Sequence, residues 1–221
     1  MTDQYFFAFT DGEEIRHISS EQAINFLLPR HYSGRVPSIS EAYGLFEGGV
    51  LQAVCTFGKP ASPFLCDGVC GKKYGESVYE LNRLCRTEEY KGKLSHFVSY
   101  CLRDLRRFNW IIVSYSDTAM HHNGYIYQAC NFLYTGQTKE RTDIYSGEGK
   151  HSRHYTEEDR CGSTRQVRSA KNRYIYFCTS DKKLKREWRN SLYYPIMPYP
   201  KAENQNYILG DFIKPNLITS K

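Results

Sequence analysis

Leu94-Ser-His-Phe97-Val98-Ser-Tyr-Cys101-Leu102-Arg-Asp-Leu105-Arg-Arg-Phe108, followed directly by Trp110-Ile-Ile-Val-Ser-Tyr-Ser116, is the stretch whose reading decides the architecture. Its first part places Leu94, Phe97, Val98, Cys101, Leu102, Leu105 and Phe108 on one stripe of a 3.6-residue period, which predicts an amphipathic helix over 94–108. Its second part is short and apolar on both faces, as a strand at a sheet centre is. Upstream, Val78–Cys85 reads as another strand, with Tyr79, Leu81 and Arg83 on one face. A strand, a helix and a buried strand in this order make a right-handed parallel unit.

Working outward, Ser19-Ser-Glu-Gln22 is a capping box that predicts a helix to about Leu28, where Pro29 stops it. Tyr43–Phe46 and Val50–Phe57 form a hairpin around Glu47-Gly48-Gly49. After Ser116 a polar turn over 117–123 leads to Gly124, a short helix over 125–130 and a strand from Asn131 to Tyr134. Thr142–Tyr145 and Arg173–Cys178 are later strands. Tyr193–Pro200 carries three prolines and no period, which predicts an extended tail. The sum is a two-layer α/β protein with a mixed sheet. Its site is expected where the loops Cys85–Lys93 and Ser116–Asn123 leave the carboxyl ends of the parallel strands.

The 221 residues suit one domain with a tail, and 24% charged with 40% hydrophobic residues excludes a disordered or fibrous chain. No run reaches the roughly 18 apolar residues of a membrane span. The start, Met1-Thr-Asp-Gln4, has an acid where a signal peptide carries basic residues, so a soluble cytosolic protein is expected. Most of the 8 cysteines lie in apolar runs, as small buried hydrophobes do, and Cys66-Asp-Gly-Val-Cys70 lacks the second close pair of a zinc site. Residues 1–138 have a net charge of −1, residues 139–189 of +6 and residues 190–221 of +1, so the basic excess lies after Lys139. Basic residues interleaved there with Tyr145, Tyr155, Tyr174, Tyr176, Phe177 and Trp188 suit phosphates and unpaired bases, or else a solvated face.

The element order resembles the GNAT acyltransferase fold. Tyr79-Glu-Leu-Asn-Arg-Leu84 resembles its central strand, and Tyr127-Gln-Ala-Cys-Asn131-Phe132-Leu-Tyr-Thr-Gly136 its helix-to-strand segment. In acyl-CoA users that strand is followed by a loop whose backbone N–H groups hold a pyrophosphate. Here the loop has one glycine, and Lys91, Gly92 and Lys93 are its candidates for phosphate. A closer similarity is to the Mom proteins of phage Mu and its relatives. It rests on Tyr79–Leu84, Val113-Ser114-Tyr115-Ser116-Asp117, His122-Asn123-Gly124-Tyr125-Ile126-Tyr127-Gln128-Ala129, His31-Tyr32, Gly136-Gln-Thr138 and Asp143-Ile-Tyr145. It spans about His31 to Tyr145. One departure is Asn123, where the phage Mu protein has serine. The resemblance implies a GNAT-like catalytic domain over 1–150, and an enzyme of the phage-infected cell that converts adenine in DNA to N6-carbamoylmethyladenine, which blocks host restriction. A basic, aromatic-rich extension over 151–192, packed on or continuing the same domain, and an extended tail over 193–221 complete the expected organisation.

Transfer to an exocyclic adenine nitrogen needs a proton acceptor, donors for developing charge, and a base taken out of the duplex. His31 and His122 are the acid–base candidates, since imidazole titrates near neutrality. Tyr32, Ser114 and Asn123 sit in the same segments. Asp117 orients a histidine or caps the next turn. Arg83, buried among apolar neighbours, needs a partner in Asp117, Asp143 or a ligand. Tyr127 and Tyr145 stack on a flipped adenine or simply pack. Lys182, Lys183, Lys185 and Arg186 are expected to contact DNA. His31, His122 and Asp117 also match the composition of a two-histidine, one-carboxylate iron site. The donor is acetyl-CoA or another small acyl or glycyl donor. Two other functions compete: a GNAT N-acyltransferase acting on a protein or small amine, and a non-catalytic nucleic-acid-binding protein on the same scaffold.

Overall fold

The computed structural model describes residues 12–145, 156–160, 164–201 and 216–219. Cys161 and Tyr155 lie outside the described residues. Seven strands form one sheet: β1 (Glu13–His17), β2 (Glu41–Glu47), β3 (Val50–Gly58), β4 (Val78–Arg86), β5 (Trp110–Asp117), β6 (Leu133–Gln137) and β9 (Lys171–Cys178), in the order β1-β2-β3-β4-β5-β9-β6. Among the described residues only β4 and β5 run parallel. The crossover between them is α3 (Leu94–Leu105), continued by a 3-10 turn to Phe108. Three further strands, β7 (Arg141–Ile144), β8 (Thr164–Arg168) and β10 (Asn216–Thr219), make a separate antiparallel sheet in the order β10-β8-β7. The helices are α1 (Ser20–Leu27), α2 (Pro63–Cys70), α4 (Tyr125–Ala129), α5 (Glu157–Arg160) and α6 (Lys182–Asn190).

Helices cover both faces of the large sheet, so the fold has three layers where two were expected. On one face α3 buries Phe97, Val98, Cys101, Leu102 and Leu105 against Tyr43, Cys55, Leu81 and Ile112, with Ile126 and Tyr127 of α4 beside them. On the other, α1 packs Ala23, Phe26 and Leu27 on Val54 and Cys85. There also α2 and α6 pack Val69, Cys70 and Trp188 on Ile111, Val113, Ile175 and Phe177. Ser19 caps α1 by accepting from the Gln22 N–H at 3.1 Å, as the capping box requires. All the cysteines among the described residues are free, and all but the half-buried Cys66 are buried. No helix among the described residues is long and apolar enough to cross a membrane.

Two departures from the sequence reading matter for the site. A bulge falls between Leu81, opposite Phe57, and Arg83, opposite Thr56. Asn82 fills it, accepting from Thr56 Oγ1 at 2.7 Å and donating to the Ser38 carbonyl at 2.7 Å. Leu84 therefore continues the row of Tyr79 and Leu81, and Arg83 turns to the α1 face with Thr56. Second, β9 inserts between β5 and β6, so residues 171–178, which the sequence reading placed in an extension packed on or continuing the domain, lie inside the sheet.

Candidate active site

β4 and β5 pair only from Val78 opposite Ile111 to Leu81 opposite Ser114. Beyond that rung β4 stays with β3 and β5 with β9, so the two strands diverge into a wedge. Ser114, fully buried on β5, donates its hydroxyl to the Leu81 carbonyl at 2.9 Å and marks the apex. Arg83 lies on the β4 wall and Asp117 ends the β5 wall.

The loop after α1 delivers His31 and Tyr32. The His31 N–H donates to the Leu27 carbonyl at 2.8 Å, and Gly34 closes the turn by donating to the His31 carbonyl at 3.0 Å. Farther on, the Ser38 carbonyl lies so close to Gly58 that a Cβ there would sit 1.9 Å from it. His31 is buried and stacks on Tyr32, with ring centroids 4.4 Å apart. Tyr32 meets His122 edge-on at 6.1 Å. These three rings form one continuous cluster.

The imidazoles differ in their surroundings. His31 Nδ1 lies 3.2 Å from the Ser33 backbone N–H and 3.0 Å from its hydroxyl. A backbone N–H only donates, so Nδ1 accepts and the neutral ring carries its proton on Nε2. Burial, with the Arg83, His122 and Lys171 charges, holds the His31 pKa well below 6.5. Burial also lowers His122, with His121 adding to the effect and Asp117 opposing it. The Tyr32 hydroxyl is pushed up to about 12 by burial, with Asp117 and Glu80 adding to the rise and Arg83 opposing it. Tyr127 rises for the same first reason, while the neighbouring Ser114 hydroxyl opposes the rise.

Arg83 donates from Nη1 to the Asn82 carbonyl at 2.6 Å, but its Nε has no solvent access and no hydrogen-bond partner. Burial lowers its pKa, and the groups it feels are Tyr32, Glu80 and Tyr127. Neither carboxylate expected for it is engaged there. Asp143 bonds Arg168 Nε at 3.1 Å, in the small sheet with Tyr145, whose N–H donates to the Thr164 carbonyl at 3.0 Å. Asp117 takes Lys171 Nζ at 3.1 Å, the Ser169 hydroxyl at 2.6 Å and the Ala119 N–H at 3.0 Å. Those contacts keep Asp117 below the usual carboxylate range against the opposing effect of its own burial.

Asp117 is thus committed to a cation and two donors, and no group of three His, Cys, Asp or Glu among the described residues could hold a metal. The iron arrangement weighed from composition does not fit. Asn123 acts through its backbone: its carbonyl accepts from Tyr174 at 2.5 Å and from Gln128 at 2.8 Å, fixing the approach to α4. On the loop before α3, exposed Lys91 and Lys93 flank a helix start with no side-chain cap. Gly92 is shaped by Tyr90, since a Cβ at 92 would overlap that ring. Two lysines and an uncapped helix start suit a phosphate group, and Gly92 between them must stay without a side chain because of Tyr90. Lys182, Lys183, Lys185 and Arg186 occupy the first turns of α6, which follows the end of β9 paired with Trp110. That end is seven strand steps, about 23 Å, from Asp117. Sequence reasoning missed Lys171, Ser169 and Glu80; only the presence of Glu80 inside the Tyr79–Leu84 segment was available to find them.

The Mom protein family model matches residues 13–201, well over half of the chain and all of the wedge. The chain belongs to the Mom family. Comparison with curated proteins finds no match. Among solved structures, this Mom family protein is similar to an N-acetyltransferase from Staphylococcus aureus Mu50, with TM-score 0.47 and 13% identity over 76% of this chain and 99% of that one. It is also similar to the ribosomal-protein-S5-alanine acetyltransferase of Vibrio fischeri, with TM-score 0.47 and 10% identity over 80% and 98%. A Drosophila melanogaster polyamine N-acetyltransferase gives TM-score 0.44 and 11% identity over 75% and 99%. Each is a likeness of fold.

Proposed function

We propose that this Mom family protein is a transferase that covalently modifies N6 of adenine in DNA, with N6-carbamoylmethyladenine as product. The observation that carries the reading is the wedge itself: a guanidinium with a buried, unpartnered Nε faces a cluster of two neutral imidazoles and a phenol. An unmet donor in such a place suits an acceptor on a bound ligand. In the reaction a bond forms between N6 and the donor carbon, the donor's leaving group departs with its bonding pair, and N6 loses a proton. His122, kept neutral at pH 7 by its lowered pKa, takes that proton. His31, fixed with its proton on Nε2, donates to developing negative charge, and Arg83 holds the donor's acceptor oxygen. Tyr32 and Tyr127 supply faces for the flipped base.

A carbamoylmethyl product needs a donor whose methylene carbon bears the leaving group; acetyl-CoA or another small acyl or glycyl donor, for whose phosphates Lys91 and Lys93 at the start of α3 are the candidates, would give an N6-acyl adduct instead. Acetyl transfer would join N6 to a carbonyl carbon, whereas the carbamoylmethyl product joins it to a methylene carbon, so adduct mass separates the two. The test is expression in a bacterium, digestion of its DNA to nucleosides and mass analysis. A carbamoylmethyl-sized deoxyadenosine adduct that disappears with His122→Ala is expected. Unmodified nucleosides together with acetylation of a small amine or protein from acetyl-CoA would instead make the protein an ordinary N-acyltransferase. Tight DNA binding with neither reaction would leave a binding protein.

A further inference from the structure

The small sheet of β7, β8 and β10 has no buried residue among those described on its strands: β8 is half-exposed throughout, and Leu217 and Ile218 of β10 are each 44% exposed. Three short strands that bury so little on themselves gain little from the hydrophobic effect. By register Arg141 and Arg168 share one face with Asp143, Gln166 and Leu217, and Arg165 shares the other with Thr142, Val167 and Ile218. Arg141, Arg165 and Arg168 outnumber Asp143, and Thr142, Gln166 and Asn216 stand among them. Asp143 bonds Arg168 at 3.1 Å, and Arg165 donates to the Thr142 hydroxyl at 3.0 Å and to its carbonyl at 3.1 Å, so two of the guanidiniums are held in place. Between β8 and β9 run Ser169 and Ala170, and this junction is latched to the site. Ser169 and Lys171 bind the Asp117 carboxylate, and Thr118 donates its N–H and hydroxyl to the Ala170 carbonyl at 3.3 and 2.6 Å.

We infer that this three-stranded arm is the duplex-docking element, which lies on the phosphates and groove edges flanking the adenine presented to the wedge. The inference rests on the DNA-modification reading and names where the duplex sits. With guanidiniums on both of its faces, Arg141 and Arg168 on one and Arg165 on the other, the arm suits a groove entered edge-on, one face toward each phosphate strand. The latch at Asp117 brings that contact to within one residue of the β5 wall. The cations of α6 lie at the far end of the large sheet and form a second, competing basic surface.

The experiment measures binding of the full-length chain to a labelled DNA duplex over a range of KCl concentrations. Each phosphate contact adds about 0.9 to the log–log salt slope, so Arg141→Ala combined with Arg165→Ala lowers it by about 1.8. Arg141→Lys with Arg165→Lys restores most of it, because a phosphate accepts any point charge. Thermal melts of both variants establish that the sheet still forms. A slope equal to wild type in the alanine variant overturns the inference, as does loss of slope only when Lys182, Lys183, Lys185 and Arg186 are neutralised. A dimer formed through the arm that duplex DNA fails to dissolve overturns it too. Wild-type protein that modifies adenine while the alanine variant keeps its slope refutes the arm alone. Protein that leaves adenine untouched but loses slope in that variant refutes the reaction and keeps the arm.

Discussion

Ser114 Oγ and the Leu81 carbonyl oxygen lie 2.9 Å apart, and theirs is the last cross-connection before the two parallel strands part. Tyr127 lies close enough to this hydroxyl to feel it, so the apex of the wedge and the ring above it are neighbours. Ser114→Ala removes the bond to Leu81 at a site with no solvent to replace it. Stability in denaturant should fall by about 1–2 kcal/mol, and turnover should fall further than stability accounts for. Equal activity per folded molecule would refute the link between apex and site.

Arg83→Gln tests the unmet guanidinium. Asp117 and Asp143 keep their partners, because both are bound elsewhere. The melting temperature should therefore stay close to wild type while activity drops on the order of a hundredfold or more. A variant that unfolds but retains activity per folded molecule would mean that Arg83 serves the sheet.

The histidines make stability depend on pH with opposite signs. His17, bonded to Asp104 and Glu41 at 3.1 Å each, has its pKa raised from 6.5 to about 9. Its contribution is complete below 6.5 and disappears as pH rises through about 9. His31 and His122 are lowered from 6.5, so their contributions are complete above 6.5 and disappear as pH falls below it. Denaturation measured across this range should give a maximum near neutrality, and His17→Asn should flatten the alkaline side only. Nitrogen NMR at neutral pH should find the His31 proton on Nε2.

Gly58→Ala addresses the loop. Its Cβ would meet the Ser38 carbonyl at 1.9 Å, so the segment from His31 to Ser40 must lift from β3. The expected outcome is a loss of several kcal/mol or of His31 placement, read as a lower melting temperature with activity reduced more than ligand-independent stability. A wild-type enzyme at this position would show that the loop is not seated by Gly58.

Much of this was legible in the chain because it is written locally. The α1 cap, the β2–β3 hairpin, the α3 stripe and the apolar β5 each carry their signal within a dozen residues. β1, with Ile15 as its only buried residue, and α6, with Trp188 as its only buried residue, do not. α2 carries Gly68 in its middle and Pro63 at its start, which hides its period. At the site, His31, Tyr32, Asp117 and His122 were legible as chemistry and come together in space. The Asp117 partners were not, because Ser169 and Lys171 lie more than fifty residues away on a strand whose position inside the sheet no local pattern announces. The turn of Arg83 to the α1 face depends on a single bulged residue, which alternation cannot foresee.

The place of β9 sets the order in which the protein can be completed on the ribosome. Roughly thirty residues separate the end of β6 from the start of β9, a delay of a few seconds at ordinary elongation rates. During that delay Ile111, Ile112 and Val113 of β5 expose an unpaired backbone row that only residues 171–178 can cover. A nascent chain stalled there, or a gene ended near residue 150, carries a sticky template for other chains, so full-length synthesis and solubility are one requirement.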